Sequence, residues 1–368
     1  MNTNEFLFEV ISNFEIEGKP FECEVIRNGH INNTYAINCK KDDGSCVKYI
    51  LQQINVNIFK NPDELTENIL GVCEFLRKEL ESEGLDASRR TLKLFKTKDG
   101  EYLYKKENSA WRVYNFITNA TAYQSAEKPG LLYNAAKAFG NFQRRLADYP
   151  ASTLHETIPY FHDTVHRYKD FMDSIKNDPK NRVKDCTDLI ERVKSYEKYA
   201  GVIVSGLNDG SIPLRVTHND TKLNNVMIDD STLEGICVID LDTVMPGSLL
   251  YDFGDSIRFA ANNGLEDDPN LDNVYLRLDL FEEYTKGFLD GIEGNITKKE
   301  LELLPMSAFI LTYELVLRFL GDYFNGDTYF KTAYSDHNLV RAKAQLKLTD
   351  DIFSKLDLMS DIVKKITK

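Results

Sequence analysis

Positive charge is scarce in this chain. Its 58 acidic residues outnumber 45 lysines and arginines, for a formal net charge of −13 over 368 residues. Phosphate backbones and anionic bilayers need basic surface, so this balance argues against a nucleic-acid or membrane partner. It leaves a small nucleotide open, because a few local donors can hold one. Cysteine is sparse as well. Six thiols, at 23, 39, 46, 73, 186 and 237, form no CxxC pair and no metal-ligand rhythm with the six histidines. Scattered thiols in apolar runs suit a reducing compartment. No apolar run is expected to span a bilayer. Met1 to Ile16 mixes Glu5, Glu9 and Glu15 into its apolar residues without a basic start, unlike a signal peptide. Internal repeats and low-complexity linkers are missing too. What remains is the profile of a soluble, cytoplasmic monomer, too long for one small core and expected to form two lobes.

The first lobe, residues 1–117, reads as a sheet with one helix. Phe21 to Ile26 and Thr34 to Asn38 are β-rich, Lys41-Asp42-Asp43-Gly44 is a turn, and Cys46 to Ile54 returns as a third strand. Asn61-Pro62-Asp63-Glu64 opens a helix with a cap, a proline and acids in its first turn. Leu65, Ile69, Val72, Cys73, Leu76 and Leu80 then recur at helical spacing. Leu92 to Phe95, Glu101 to Lys105 and Trp111 to Ile117 read as further strands. From residue 118 to 368 the texture is helical, with patterns over Pro129 to Leu146, Asp163 to Ile175, Val183 to Tyr199, Leu276 to Leu289 and Lys298 to Leu320. A short hinge near Asn115 to Asn119 joins the lobes, and Asn115 and Ile117 are its expected nucleotide contacts. Five strands with a helix, followed by a larger helical lobe, make an α+β, bilobal, protein-kinase-like fold.

An island of strand inside the helical region carries the chemistry. Val216-Thr217-His218-Asn219-Asp220-Thr221-Lys222-Leu223-Asn224-Asn225 is followed by Gly235-Ile236-Cys237-Val238-Ile239-Asp240-Leu241-Asp242. An Asp, an Asn five residues on, and an Asp closing an apolar strand is the kinase arrangement for phosphoryl transfer from ATP. Asp220 would take the acceptor's proton, while Asn225 and Asp240 would hold Mg²⁺ through hard oxygen donors. Asn224 competes with Asn225, but the five-residue offset favours the latter. Asp242 projects to the same side as Asp240, as a second ligand, a substrate contact or a solvated strand end. Asn219 is a further candidate substrate contact.

Other signals are ambiguous. Asn28-Gly29-His30-Ile31-Asn32 lies between the first two strands, where a phosphate-covering loop belongs; Asn28, Gly29 and Asn32 are candidate nucleotide contacts there. Kinases carry a phosphate-pairing Lys on the third strand, yet Tyr49-Ile50-Leu51-Gln52-Gln53-Ile54 offers glutamine. Gln53 with backbone donors, Lys48 or Lys60 could each serve. Asp252-Phe253-Gly254 spells a kinase metal triplet but runs into a helical segment, Asp255 to Asn262, so Asp252 reads as a cap or loop brace. His162 and His166 have a zinc-compatible spacing but no third ligand, and read as packing or surface histidines. Arg318 interrupts an apolar helical run, which points either to a snorkelling side chain or to a guanidinium in the acceptor pocket.

Taken with Trp111-Arg112-Val113-Tyr114 and Asp240-Leu241-Asp242-Thr243-Val244-Met245-Pro246-Gly247, these blocks resemble the aminoglycoside phosphotransferase and choline kinase superfamily, and within it the bacterial N-acetylhexosamine 1-kinases. The resemblance covers most of the chain. It implies ATP- and Mg²⁺-dependent phosphorylation of the anomeric hydroxyl of GlcNAc or GalNAc, with Asp220 as base, Asn225 and Asp240 on the metal, and His30 and Arg318 on the sugar. Members carry a third-strand Arg or Lys where this chain has Gln53. The aromatic residues Phe253, Phe259, Tyr313, Phe319, Tyr323 and Phe324 are an expected supply for a sugar platform. A same-fold kinase for choline, a hydroxy amino acid, a drug or another sugar is the alternative, and a non-catalytic nucleotide-binding protein the more distant one.

Overall fold

The computed structural model describes residues 3–26, 31–126 and 128–368. Five antiparallel strands form the N-terminal sheet: β1 Lys19–Ile26, β2 Asn33–Lys40, β3 Cys46–Ile54, β4 Tyr104–Lys106 and β5 Ser109–Asn115, in the order β1-β2-β3-β5-β4. Alternation along the strands gives the sheet two faces. Tyr49, Leu51, Trp111 and Val113 face a helix not expected from the sequence, α1 Thr3–Ile11, which packs through Leu7, Val10 and Ile11. Ile54, Ala110 and Tyr114 face the other way, toward α2 Pro62–Ser82. α2 starts as its sequence dictates, with Asn61 capping and Pro62 in the first turn. Its Asn68 leaves the lobe, and its amide donates to the carbonyls of His155 and Val244.

The helical lobe contains two small sheets. β6 Ala120–Ala122, β8 Val226–Asp229 and β9 Gly235–Val238 form one; β7 Arg215–Thr217 pairs with β10 Met245–Gly247 in the other. Around them stand α3 Leu131–Arg145, α4 Thr164–Asn177, α5 Thr187–Lys194, α6 Val202–Asn208, α7 Leu249–Ala260, α8 Leu278–Ile292, α9 Lys298–Asn325 and α10 His337–Ile366. α3 and α8 touch backbone to backbone. A Cβ at Gly287 would collide with the carbonyl oxygen of Tyr133, and one at Gly291 with that of Lys137. Where the chain crosses between lobes, Arg89 donates to the carbonyls of Thr118 and Asn119 and pairs with Asp229 at 2.8 Å.

Several expected elements differ. Residues 92–95 make an isolated bridge, Leu94 to Tyr114, along the stretch of β5 that the short β4 leaves free. Val183 to Tyr199 is broken into α5 and two flanking 3-10 turns. The helix expected from Asp255 begins earlier, at Leu249, capped by Ser248. α9 does have the length and apolarity of a membrane span, contrary to expectation, but 83% of its most apolar window is buried inside the lobe. It is a core helix, framed by a Thr297/Glu300 capping box and a left-handed Gly326.

Candidate active site

β7 delivers the chain to a loop that is tied down on almost every side. The buried carboxylate of Asp252, on α7, accepts the backbone N–H of His218 at 3.0 Å, that of Asn219 at 2.7 Å and the Gln143 amide at 2.6 Å. Asp252 is therefore the loop's brace. The hydroxyls of Thr221, Ser256 and Thr243 close further bonds to the carbonyls of Asp252, Thr221 and His218. His218 donates Nε2–H to the Ile239 carbonyl at 2.9 Å, which leaves Nδ1 to accept from the Asp220 amide. Asn219 sits in the left-handed region, at φ 65°, and its side chain donates to the Thr243 carbonyl. Asn219 thus serves the loop, and it also borders a cavity below.

Within this frame Asp220 is one of the few side chains left to face the cleft. Lys222 Nζ pairs with its Oδ1 at 2.7 Å, and Asn225 Nδ2 donates to its backbone carbonyl at 2.8 Å and to Oδ2 at 3.3 Å. Those bonds orient the Asn225 amide so that its Oδ1 stays available. Asn224 instead turns toward Gln124. Asp240, beyond the end of β9, adopts φ 60°, a conformation Asp tolerates better than most residues. Its depth in the cleft, and then the charges of Asp242 and Asp220, push its carboxyl up to about 7, although the side chain stays open to cleft water. A cation is what such a cluster calls for. Among the described residues there is no group of three or more His, Cys, Asp or Glu fit to hold a metal. Two protein oxygens, Asn225 Oδ1 and an Asp240 carboxylate oxygen, suit Mg²⁺, which keeps waters and takes the rest of its shell from phosphates.

Asp242 is not free to contact an acceptor. It is 4% exposed, and its two oxygens are taken by the Arg112 guanidinium and the Asn32 amide. Asn32 in turn accepts the Asn55 amide through Oδ1, so it is a strut as well as a cleft residue. Gln53 lies on the α1 side of the pleat and accepts from Asn33 in an exposed position. It cannot stand in for a third-strand cation. Its neighbour Gln52 does face the cleft, and Arg112 crosses from β5 to meet it: Nε donates to Gln52 Oε1 at 2.9 Å. Burial alone would lower the Arg112 pKa, but Asp242 outweighs it and keeps the guanidinium charged. Lys48 pairs with Glu24 and stands over the Phe116 ring, away from the carboxylates.

Two cavities meet at these residues. One, of about 260 Å³, runs from an apolar end at Ile50, Phe116, Ile117 and Met227 to a polar end at Arg112, Asn225 and Asp240. Asn115 lines it too, but its side chain is occupied, accepting from the Lys93 amide and donating to the Ser88 carbonyl. A smaller space of about 80 Å³ holds Asp220, Lys222, Asn225, Asp240 and Asp242 together with Asn32 and Gln52. Below the loop lies a third, of about 280 Å³, bordered by Phe161, His162, Asn219 and Tyr251. His162 is buried there and pairs with Glu314 at 2.8 Å, while His166 stacks on Tyr160. They do not form a metal pair. Arg318 lies behind Phe161, its guanidinium 5.2 Å from that ring and 5.8 and 5.5 Å from those of Tyr329 and Phe330.

The expected aromatic platform does not exist as such. Phe253, Tyr313, Phe319, Tyr323 and Phe324 are core residues, and only Phe259 is open to solvent. Asn28, Gly29 and His30 lie outside the described residues. Lys222, Gln52 and Arg112 were not anticipated. The one available signal for Arg112 was a charge inside the strand run Ala110-Trp111-Arg112-Val113-Tyr114.

The fold has known counterparts. An aminoglycoside phosphotransferase from Alicyclobacillus acidocaldarius superposes with a TM-score of 0.63 at 11% identity, over 97% of this chain and 96% of that one. An amicoumacin kinase solved with AMP-PNP and Ca²⁺ gives 0.58 at 14% identity, over 95% and 93%. A choline kinase from Cryptosporidium parvum gives 0.57 at 12% identity, over 99% of both. At the level of sequence, residues 22–288 match the model of the phosphotransferase enzyme family. That match spans both lobes and the whole loop-and-hairpin site, and the chain belongs to the phosphotransferase enzyme family.

Proposed function

We propose that this phosphotransferase moves the γ-phosphoryl group of ATP, with Mg²⁺, to the anomeric hydroxyl of an N-acetylhexosamine such as GlcNAc or GalNAc. The observation that carries the phosphoryl-transfer part is the gathering of Asp220, Lys222, Asn225 and Asp240 around one small space at the polar end of the larger cavity. The apolar end suits a nucleobase, which directs the polyphosphate toward the carboxylates. Solved relatives of this fold carry AMP-PNP with Ca²⁺, or ADP. Bound Mg²⁺ would neutralise phosphate charge between Asn225 and Asp240.

Asp220 would accept the sugar's proton while Lys222 places a positive charge beside the transferring group. An anomeric hydroxyl is the most acidic of a sugar, since the ring oxygen withdraws charge from C1. A carboxylate can therefore take its proton late in a loose transition state, and catalysis is mostly positioning. The choice of an N-acetylhexosamine rests on the sequence blocks around Asp220 and Asp240 and on Arg318. Among the described residues the Arg318 guanidinium makes no hydrogen bond, and it lies behind Phe161, which borders the cavity below the loop. The ring cluster of Phe161, Tyr329 and Phe330 already holds this cation, which disfavours a quaternary ammonium at that spot.

The test is ADP release with MgATP across GlcNAc, GalNAc, glucose, choline, a hydroxy amino acid and an aminoglycoside, with products examined by ³¹P NMR. Phosphorus coupled to the anomeric proton of an N-acetylhexosamine is the expected result. Turnover confined to choline or to the aminoglycoside would assign a different acceptor, and phosphate on C6 would refute the anomeric chemistry.

A further inference from the structure

We infer that the phosphate-pairing cation has moved from the third strand to the fifth: Arg112 binds the α- and β-phosphates of the nucleotide, and Gln52 and Asp242 aim it. The inference rests on the nucleotide assignment of the cleft. Gln52 and Arg112 are direct partners across the β3–β5 ladder. Both point to the face that lines the larger cavity, along with Ile50 and Tyr114. A cation at position 52 would enter the cleft from β3; here it enters from the neighbouring strand, in the same layer of side chains.

The hydrogen bonds of the guanidinium show which part is left for a ligand. Nε and Nη2 are used on Gln52 Oε1, and Nη2 also meets Asp242. Among the described residues Nη1 is buried and has no partner, in a side chain only 1% exposed. A buried guanidinium N–H without an acceptor is costly, and arginine's planar fork matches phosphate oxygens. The surrounding charges agree. Among the described residues the cations facing Asp220, Asp240 and Asp242 are Arg112 and Lys222, so a second contact from Arg112 would go to an incoming anion carried with its own metal. Asp242 then acts as a positioning residue that points the guanidinium, which explains why it is closed to the acceptor. The fixed fork on Gln52 further limits how far the guanidinium can turn.

Calorimetry with adenosine, ADP and ATP, with Mg²⁺, tests this on the full chain and on three variants: Arg112→Gln, Arg112→Gln/Asp242→Asn and Arg112→Gln/Gln52→Lys. The second keeps hydrogen bonding without leaving a lone buried carboxylate, in case the first does not fold. Loss of a charge-assisted contact should weaken ADP and ATP about ten- to a hundredfold, with adenosine changed less than about twofold. Gln52→Lys should restore most of the ADP affinity, because it returns the cation to the cleft from β3. Equal losses for adenosine and ADP would make Arg112 a wall residue only and overturn the inference, as would unchanged ADP affinity in the Asp242→Asn double variant. An unmodified protein that binds none of the three would refute the nucleotide assignment itself.

Discussion

The two sides of the cleft are held in different ways. Below, the loop 218–225 is fastened by short bonds between its own backbone and residues of α7 and the following hairpin, chiefly through Asp252. Above, among the described residues, the first lobe reaches the same site through side chains: Arg112 and Asn32 onto Asp242, and Asn68 of α2 onto the Val244 carbonyl. Backbone bonding of this kind leaves a group one position, which suits a base that must meet a proton within hydrogen-bond reach. Side-chain contacts can re-form at another separation, which suits a wall that must admit and release a polyphosphate. On the proposed function, the chemistry belongs to the rigid side, and nucleotide capture is shared with the adjustable one.

The sharpest way to break this contrast is to loosen the rigid side. Asp252→Ala would orphan three buried N–H groups, and unsatisfied buried donors cost about 1–3 kcal/mol each. A stability loss of about 3 kcal/mol or more is expected by chemical denaturation, together with loss of turnover. A variant of native stability would show that the loop holds itself without its brace. Arg318→Ala probes the acceptor side. It should raise the sugar KM about tenfold and lower kcat, since a hydrogen bond to a charged group is worth roughly 1.5–3 kcal/mol. Nucleotide affinity should hold. A large drop in melting temperature with intact sugar kinetics would instead make Arg318 a prop for Phe161. Gln53→Ala should change every kinetic constant by less than about twofold, because position 53 faces α1; a clear loss of ATP affinity would reverse the assignment of the two glutamines.

How much of this could be read from the chain follows the same division. Asp220, Asn225 and Asp240 lie on one loop and the hairpin after it, where offsets between neighbours translate directly into geometry. Asp252 was separable from a metal ligand because it opens a helix. The opposite wall was not legible. Arg112 and Asp242 are 130 positions apart, and nothing local links them. Choosing Gln53 over Gln52 was an error of strand phase, and one residue of phase moves a side chain to the other face of the sheet. The aromatic residues of α7 and α9 were named from composition, which cannot distinguish a sugar platform from a packed core. The missed α1 covers the face that explains Gln53.

The most direct test of the central claim is a paired measurement on Asp220→Asn: MgATP affinity by calorimetry, and the single-turnover rate with sugar in excess. The carboxamide keeps the shape of the loop but cannot take a proton. The account predicts ATP binding within about twofold of the unmodified protein and a chemical step slower by about 10² to 10⁴. A rate within tenfold of the original, or a collapse of ATP affinity with the fold intact, would contradict it.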